Sequence, residues 1–435
     1  MHETPSQQDN LQPTPKKSAR MLLVPAILLL AIIIPITGLF LWRHSATHNS
    51  ATNTRAVSQQ QSLTLFYRDG KTVLWKSGNP ADGDVTAFAA YARQDLMNVL
   101  GGDYQSKGAW QVTTTLSPSL QAAAQKQIQD SHNKFVNAGV QRVAFVAENI
   151  TNGQVVSWVG VDGANNTDPV LQKQVIGSLA LPLTYVAYMD QTAKGTDIMV
   201  NDTQRPLFGY PCTNTARPPE GNCAFDYDER YMGQITLYQA IAKARQVPAI
   251  SAVSDISKNG PNPTIETIAK MGSNNQCYAD EALAQETACY TGSAIGDGVL
   301  AKPQELVQAY ATLANGGSRL PQTVVLGATL NGKPQTLPKP TATQVIHKAA
   351  ADAVVAALSD SNASALSPVK QYFTTAKGTK TALVDGATAA GTSASSVQFS
   401  QKYVAGFWMS ADRPLRGVPE SLTLPFTAAW MNTAD

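Results

Sequence analysis

Residues 140–161 read VQRVAFVAENITNGQVVSWVGV, two apolar runs on either side of Asn152-Gly153. Asn-Gly favours the two-residue turn of a β-hairpin because both central positions of that turn need a positive φ. Each run is rich in β-branched and aromatic residues, as strands are. The stretch therefore predicts two antiparallel strands joined by a tight turn.

The far end of the chain carries further strand patterns, at 381–387, 394–399 and 402–410. Between the two groups of strands, apolar residues recur at helical spacing. Helices are predicted over 178–192, 237–246, 302–315 and 343–359, with Thr236 as the cap of the second. Strands at both ends with helices between them indicate an α+β fold, in which an antiparallel sheet is covered by helices.

An apolar run without charged side chains, MLLVPAILLLAIIIPITGLFLW, occupies residues 21–42. As a helix it would span about 33 Å, enough for the hydrocarbon core of a bilayer. Three basic residues precede it within 16–20, and Arg43 alone follows closely. The positive-inside rule then places the N-terminus in the cytoplasm and 43–435 outside. A cleaved signal peptide is the alternative, although its apolar core would be shorter.

Composition changes divide the chain into segments around this run. Residues 62–137 contain hairpin, helix, strand and helix patterns, at 63–75, 85–100, 110–116 and 118–137, the last capped by Ser117. The predicted organisation is a cytoplasmic tail (1–20), a transmembrane helix (21–42), a polar stalk (43–61), a membrane-proximal pedestal (62–137) and a main domain (138–435).

Charge and histidine content exclude several function classes. Lys and Arg total 33 against 31 Asp and Glu, a net charge of +2, so the basic field of a nucleic-acid-binding protein is lacking. Only His132 and His347 lie beyond the membrane flank, which disfavours a metal centre and a Ser-His-Asp triad. We expect no metal and no cofactor.

Four cysteines follow the apolar run: Cys212, Cys223, Cys277 and Cys289. None forms C-x-x-C, which disfavours zinc and thioredoxin-like sites. An even count in an oxidising compartment favours disulfides, and the short spacings favour pairing Cys212 with Cys223 and Cys277 with Cys289. Three pairings are open to four cysteines, and four buried free thiols are the alternative.

Five collinear stretches resemble the transpeptidase domain of class A penicillin-binding proteins. They are WQVTTTLSPSLQAAA (110–124), GSLALPLTYVAYMD (177–190), YMGQITLYQAIAKARQVPAI (231–250), LAKPQELVQAYATLANGG (300–317), and DGATAAGTSASS (385–396) followed by KYVAGFW (402–408). The resemblance covers roughly 110–435 and implies an antiparallel β-sheet covered by helices on both faces. Residues 76–109 leave no room for the glycosyltransferase domain of class A proteins.

The first motif of that family is S-x-x-K, whose serine attacks the substrate. The lysine lies one helical turn later on the same face and helps to remove the serine proton. The matching residues are Ser178-Leu179-Ala180-Leu181. Leu181 stands in place of the lysine and can neither accept a proton nor stabilise an alkoxide.

The other two motifs are also altered. The second, S-x-N, matches Ala244-Arg245-Gln246, so its hydroxyl is lost and its amide is one methylene longer. The third, K-T-G, matches Ala389-Ala390-Gly391, followed by Thr392. Only the glycine of this motif is retained, so the Lys and Thr that hold the substrate carboxylate in the family are missing.

These departures predict a pseudoenzyme, because loss of a catalytic base or nucleophile alone costs about 10⁴ to 10⁶ in rate. The hypothesis is a membrane-anchored extracytoplasmic protein with a binding or scaffolding role in cell-wall assembly. Its expected partners are the membrane, through residues 21–42, and peptidoglycan or cell-wall assembly proteins, with at most weak β-lactam binding. The alternatives are an active acyl-serine D,D-transpeptidase or carboxypeptidase using Ser178, and a binding module without a wall role.

Several of these residues have ordinary alternative roles. Ser178 is more often a helix cap than a nucleophile without a base. Arg245 is interpreted as an exposed helix residue rather than an anion site. Lys173, Lys243 and Lys402 are interpreted as solvated lysines rather than substitute bases. The tryptophans are expected to pack in the core rather than to line a glycan groove.

Overall fold

The computed structural model describes residues 61–78, 83–163, 167–217, 220–257, 263–274, 276–277, 292–388, 390–417 and 420–435. They belong to one compact unit, Ser58–Asp435. The predicted cytoplasmic tail and transmembrane helix lie outside the described residues. Among the helices that are described, none is both long and apolar enough to cross a membrane.

Helices and strands are interspersed along the chain. The α-helices in the described ranges are α1 (Gly83–Leu100), α2 (Pro118–Ala138), α3 (Ala180–Thr192), α4 (Leu237–Ala242), α5 (Gln246–Ile256), α6 (Pro263–Met271), α7 (Pro303–Ala314), α8 (Lys348–Leu358) and α9 (Glu420–Ala434). The strands are β1 (Ser62–Phe66), β2 (Val73–Lys76), β3 (Ala109–Thr114), β4 (Arg142–Asn149), β5 (Gln154–Asp162), β6 (Gln174–Val175), β7 (Met199–Asp202), β8 (Gly233–Thr236), β9 (Gln276–Cys277), β10 (Val299–Ala301), β11 (Ser318–Arg319), β12 (Val325–Leu330), β13 (Lys333–Gln335), β14 (Thr343–Gln344), β15 (Ala382–Ala387), β16 (Ser393–Phe399) and β17 (Tyr403–Ser410).

The central sheet has five strands in the order β15-β16-β17-β4-β5, and every neighbouring pair is antiparallel. The predicted hairpin is confirmed, because β4 and β5 pair directly. Its turn is longer than the two residues that Asn-Gly favours: Asn149 pairs with Gln154 across four residues, and Gly153 takes φ +68° whereas Asn152 does not take a positive φ. Strands from both ends of the main domain therefore meet in the middle of one sheet.

Helices cover both faces of this sheet, as expected. On one face, α2 and α9 pack over an aromatic cluster in which the rings of Phe407 and Phe426 stack 4.1 Å apart. The other face is covered by α7, within the larger apolar core that also holds α3 and α5. Each fully buried large side chain of these cores stabilises the fold by about 1.5–3 kcal/mol.

A second five-stranded sheet, in the order β13-β12-β3-β1-β2, lies in the predicted pedestal. The hairpin predicted over 63–75 is confirmed: β1 pairs with β2, and the chain turns at Asp69-Gly70 with φ +65° at the glycine. Its other edge comes from far along the chain, because Leu330 of β12 pairs with Trp110 of β3. The pedestal sheet therefore recruits strands from the main domain as well as from 62–137.

The helix predicted over 237–246 is wrong in its extent. It begins with the predicted cap, since the N–H of Gln239 donates to the Thr236 hydroxyl at 3.2 Å. It ends at Ala242, because Ala244 takes a left-handed φ of +50° and the N–H of Arg245 donates back to Ala240 O at 2.9 Å. This is the hydrogen-bond pattern of a Schellman helix stop. A new helix, α5, starts at Gln246.

Candidate active site

Ser178 lies in a single 3₁₀ turn, Gly177–Leu179, that leads directly into α3. Neither helix start carries a side-chain cap, so the interpretation of Ser178 as a helix cap is wrong. The residue is half-buried. The turn places Ser178 in the wall of a cleft.

Close backbone contacts fix the position of this turn. A Cβ added to Gly177 would lie 2.3 Å from the carbonyl oxygen of Ala387, and Gly177 takes φ +55°. A Cβ added to Gly296 would lie 2.0 Å from the Gly177 oxygen. Only glycine fits at either position. Together they hold the Ser178 turn against the end of β15.

The cleft beside Ser178 has a volume of about 230 Å³. The Ser178 turn, the segment between β7 and β8, the α4–α5 junction, the segment that follows α8 and the end of β15 all contribute to its wall. It is lined by Ser178, Leu181, Tyr227, Ala244, Gln246, Ala365, Leu366, Asp385, Gly386 and Ala387. Leu181 is buried, 2% exposed, and its apolar side chain forms part of the wall next to the serine.

The residues matched to the second motif divide between two environments. Ala244 and Gln246 line the same cleft as Ser178. Arg245, between them, is turned away and is only 1% exposed. Its interpretation as an exposed helix residue is therefore wrong, and so is its alternative as an open anion site, because the protein's own acids surround it.

Three aspartates from the preceding segment neutralise Arg245. The distances from its guanidinium are 2.8 Å to Asp202, 3.1 Å to Asp226 and 3.0 Å to Asp228. Sequence reasoning did not single out these acids, which lie 17 to 43 residues upstream of the arginine. The cluster fixes the loop that follows β7 against the α4–α5 junction.

Asp226 also provides the N-terminal cap that α5 lacks in its own sequence. Its carboxylate accepts from the N–H of Gln246 at 2.5 Å and from the N–H of Val247 at 3.4 Å. Burial, together with the neighbouring Asp202, raises the pKa of Asp226 to about 8, against the opposing effect of Arg245. A shared proton between the two carboxyls is consistent with this pKa.

The match of the third motif to Ala389-Ala390-Gly391 needs correction. Ala389 lies outside the described residues, while Ala390, Gly391 and Thr392 form the hydrogen-bonded turn between β15 and β16. The strand that faces Ser178 presents Asp385-Gly386-Ala387 instead. A Cβ on Gly386 would lie 2.9 Å from Leu179 Cγ, so the close packing of the serine turn requires a glycine there.

The fold of this chain is similar to that of solved penicillin-binding-protein structures. PonA1, a penicillin-binding protein from Mycobacterium tuberculosis, matches with a TM-score of 0.66 and 20% identity, over 80% of this chain and 91% of that one. The D,D-transpeptidase domain of a peptidoglycan glycosyltransferase from Eggerthella lenta matches with a TM-score of 0.64 and 15% identity, over 86% and 98%. This chain has the fold of a penicillin-binding-protein transpeptidase domain.

Sequence comparison finds penicillin-binding proteins that are similar to part of the chain. Penicillin-binding protein 1B from Vibrio cholerae is 25% identical over 276 residues, and penicillin-binding protein 1A from Streptococcus pneumoniae is 23% identical over 246. These matches cover 61% and 53% of this chain but 32% of each relative, so the chain spans about a third of their length. No family model matches the sequence.

None of the three candidate substitute bases lines the cleft of this transpeptidase-like domain. Lys173 is exposed on the surface. The amine of Lys243 lies 3.5 Å from the carbonyl oxygen of Ser364. Lys402 lies over the ring of Tyr403, 4.8 Å from its centroid, at the opposite end of the sheet strands from Ala387. The lining residues of the cleft therefore contain no amine.

One of the two predicted disulfides, Cys212–Cys223, lies within the described residues. Cys212 and Cys223 are bonded as predicted and close a short loop within the segment that the Arg245 cluster holds. Cys289 and the side chain of Cys277 lie outside the described residues, so their pairing stays a prediction. In the part of the chain that is described, no group of three or more His, Cys, Asp or Glu side chains is placed to hold a metal ion.

Proposed function

We propose that this protein is a pseudo-transpeptidase that binds peptide or partner protein in cell-wall assembly and does not form an acyl-enzyme. One observation carries the proposal: Ser178 faces an open cleft in which the lysine position is Leu181 and no other lining residue bears an amine. A serine hydroxyl is a weak nucleophile unless a neighbouring base takes its proton. The cleft retains room for a ligand.

The proposed location is outside the cytoplasm, anchored by residues 21–42. The uncharged run and the basic residues before it support this orientation. The Cys212–Cys223 bond supports it as well, because disulfides persist in oxidising compartments. The proposed partners are peptidoglycan or the proteins that assemble it. This proposal is supported by the similar proteins, which are penicillin-binding proteins and a D,D-transpeptidase domain.

The test is covalent labelling of the full chain with a fluorescent penicillin, read by intact mass from pH 6 to 10. We expect no adduct on Ser178 in the natural protein. Leu181→Lys is the informative variant, since it restores an amine one turn after the serine, and Leu181→Met is its matched control without an amine. Labelling of the natural chain that Ser178→Ala abolishes would overturn the proposal.

An active acyl-serine enzyme is the second candidate. The specific observation in its favour is that the cleft is open and Ser178 lines it. The labelling experiment separates the two candidates, because an active enzyme would acylate without any change at Leu181.

A further inference from the structure

A second pocket, with a volume of about 330 Å³, is lined by residues of α3, α5 and β7 and of the segments that follow α3 and β7. It shares no lining residue with the Ser178 cleft. Its volume lies within the range of sites that bind small molecules. Much of its wall is apolar, formed by Ile198, Met199, Val200, Leu237, Pro248 and Ala252. The pocket can therefore accept the apolar body of a small organic ligand.

Three charged side chains also line this pocket, namely Lys194, Arg205 and Asp255. Two positive charges and one negative charge give the lining a net charge of +1. Within the part of the chain that the structure describes, Arg205 forms no ion pair with a carboxylate. A ligand with one negative charge would neutralise the lining.

The guanidinium of Arg205 is held in place by neutral oxygens. Its Nη2 donates to Ser251 Oγ at 2.7 Å and to the backbone oxygen of Asn201 at 3.2 Å. Its Nε is buried and has no hydrogen-bond partner among the described residues. The side chain is therefore already ordered, while its charge is not compensated. A ligand carboxylate would supply the missing negative charge at little cost in side-chain entropy.

The amine of Lys194 is fixed in a similar way. Its Nζ donates to the Tyr188 hydroxyl at 2.8 Å and lies 5.1 Å from the centroid of that ring. The hydrogen bond to Tyr188 raises the pKa of Lys194, and the nearby charge of Asp255 raises it further, so the amine stays protonated at neutral pH. Asp255 offsets part of the positive charge without removing the excess.

We propose that this pocket binds a small organic carboxylate, with its charged group beside Arg205 and Lys194 and its apolar body against the wall formed by β7 and α5. The inference goes beyond the proposed function, because it concerns a separate site. It requires neither catalysis nor a ligand in the Ser178 cleft.

Three probes of similar shape and different charge test the inference with the full chain at pH 7. They are phenylpropionate, which is anionic, phenylpropionamide, which is neutral, and phenylpropylamine, which is cationic. Isothermal titration or ligand-observed NMR gives the dissociation constants. We expect the carboxylate to bind about tenfold more tightly than the amide, equivalent to about 1.4 kcal/mol, and the amine to bind most weakly.

Variants assign the preference to the charged side chains of the pocket. Arg205→Gln should abolish the advantage of the carboxylate, and Lys194→Met should reduce it about threefold. Asp255→Asn should instead strengthen carboxylate binding about twofold, since it removes a like charge. A gain of this kind cannot result from partial unfolding. Lys126→Met is the matched control, because it removes a positive charge from an exposed pair with Asp130 on α2.

Equal binding of the carboxylate and the amide, or no binding of any probe at millimolar concentration, would overturn the inference. Weaker carboxylate binding in Asp255→Asn would do so as well, and so would an unchanged preference in Arg205→Gln that thermal unfolding shows to be folded. If Arg205→Gln does not fold, Lys194→Met and Asp255→Asn decide. These outcomes are distinct from failure of the pseudoenzyme proposal, which depends on covalent labelling of Ser178 by penicillin.

Discussion

The guanidinium of Arg245 lies 2.8 Å from the carboxylate of Asp202, and both side chains are buried. Asp202 ends β7, whereas Arg245 stands in the break between α4 and α5. The ion pair therefore joins the start of a long disulfide-containing loop to the junction that carries Ala244 and Gln246 into the cleft. Arg245, which lies between two cleft residues, therefore supports the wall of the cleft from behind.

Replacing Arg245 by Met should destabilise the protein by about 3–5 kcal/mol, because the buried Asp202 carboxylate loses the guanidinium that lies 2.8 Å from it. Urea unfolding at pH 7 measures the change. Arg217→Met is the matched control in the same loop, since Arg217 forms an exposed pair with Glu229 and should contribute less than about 1 kcal/mol. If the two substitutions lower the unfolding free energy equally, the buried ion pairs of Arg245 are not what fixes the loop that follows β7.

We expect a second buried acid, Glu148, to make the stability of the protein depend on pH. Glu148, on β4, is 1% exposed and accepts a hydrogen bond from Gln322 Nε2 at 2.7 Å. Burial raises the pKa of Glu148 from its ordinary 4.5 to about 8, and the Gln322 bond opposes the rise. Between these two values the folded protein holds a proton that the unfolded chain has released. The stability that this proton gives is fully present below about pH 4.5 and is lost as the pH rises through 8.

Glu148→Gln should flatten the fall in unfolding free energy between pH 5 and 8, because the amide has no proton to lose. One proton corresponds to a slope of at most about 1.4 kcal/mol per pH unit, so the variant should gain on the natural chain as the pH rises. Urea unfolding at four pH values measures both slopes. The exposed Glu266, changed to Gln, is the control. Parallel curves for Glu148→Gln and the natural chain would contradict the expectation.

The cysteine pairing can be completed chemically. Non-reducing peptide mapping should find one bond between Cys212 and Cys223 and a second between Cys277 and Cys289. Changing Cys212 and Cys223 together to serine should lower the unfolding free energy by about 3 kcal/mol, since the bond closes a loop with a sequence separation of 11. Crossed pairs, or free thiols at Cys277 and Cys289, would show that short spacing was the wrong guide to pairing.

Features that depend on local chain geometry could be predicted from the sequence. The Asn152-Gly153 turn and the cap at Ser117, whose hydroxyl accepts from Leu120 N at 3.5 Å, each involve residues close in sequence. Pairing between distant segments could not be predicted in this way. The β3–β12 pairing joins residues more than 200 positions apart, and the burial of Arg245 depends on acids brought to it by the loop.

The third motif shows how a sequence match alone misplaces a site. Gly391-Thr392 resembles the end of that motif, yet the strand predicted over 381–387 already contained a different glycine, Gly386. The motif must lie on the strand that faces the nucleophile, so the strand prediction and the match to 389–391 were inconsistent with each other. The place of Asp385 in the cleft lining was missed for this reason.

Gly386→Ala should destabilise the protein by about 1–3 kcal/mol, because the new methyl group would lie 2.8 Å from Ser395 Oγ and 2.9 Å from Leu179 Cγ. The strand must then move away from the turn that carries Ser178, which should also weaken any ligand of the cleft. Gly327→Ala, on β12, is the control, since nothing lies within 4 Å of its added Cβ. Thermal or urea unfolding compares them. If both glycines tolerate alanine equally, the close contact between β15 and the serine turn does not exist in solution.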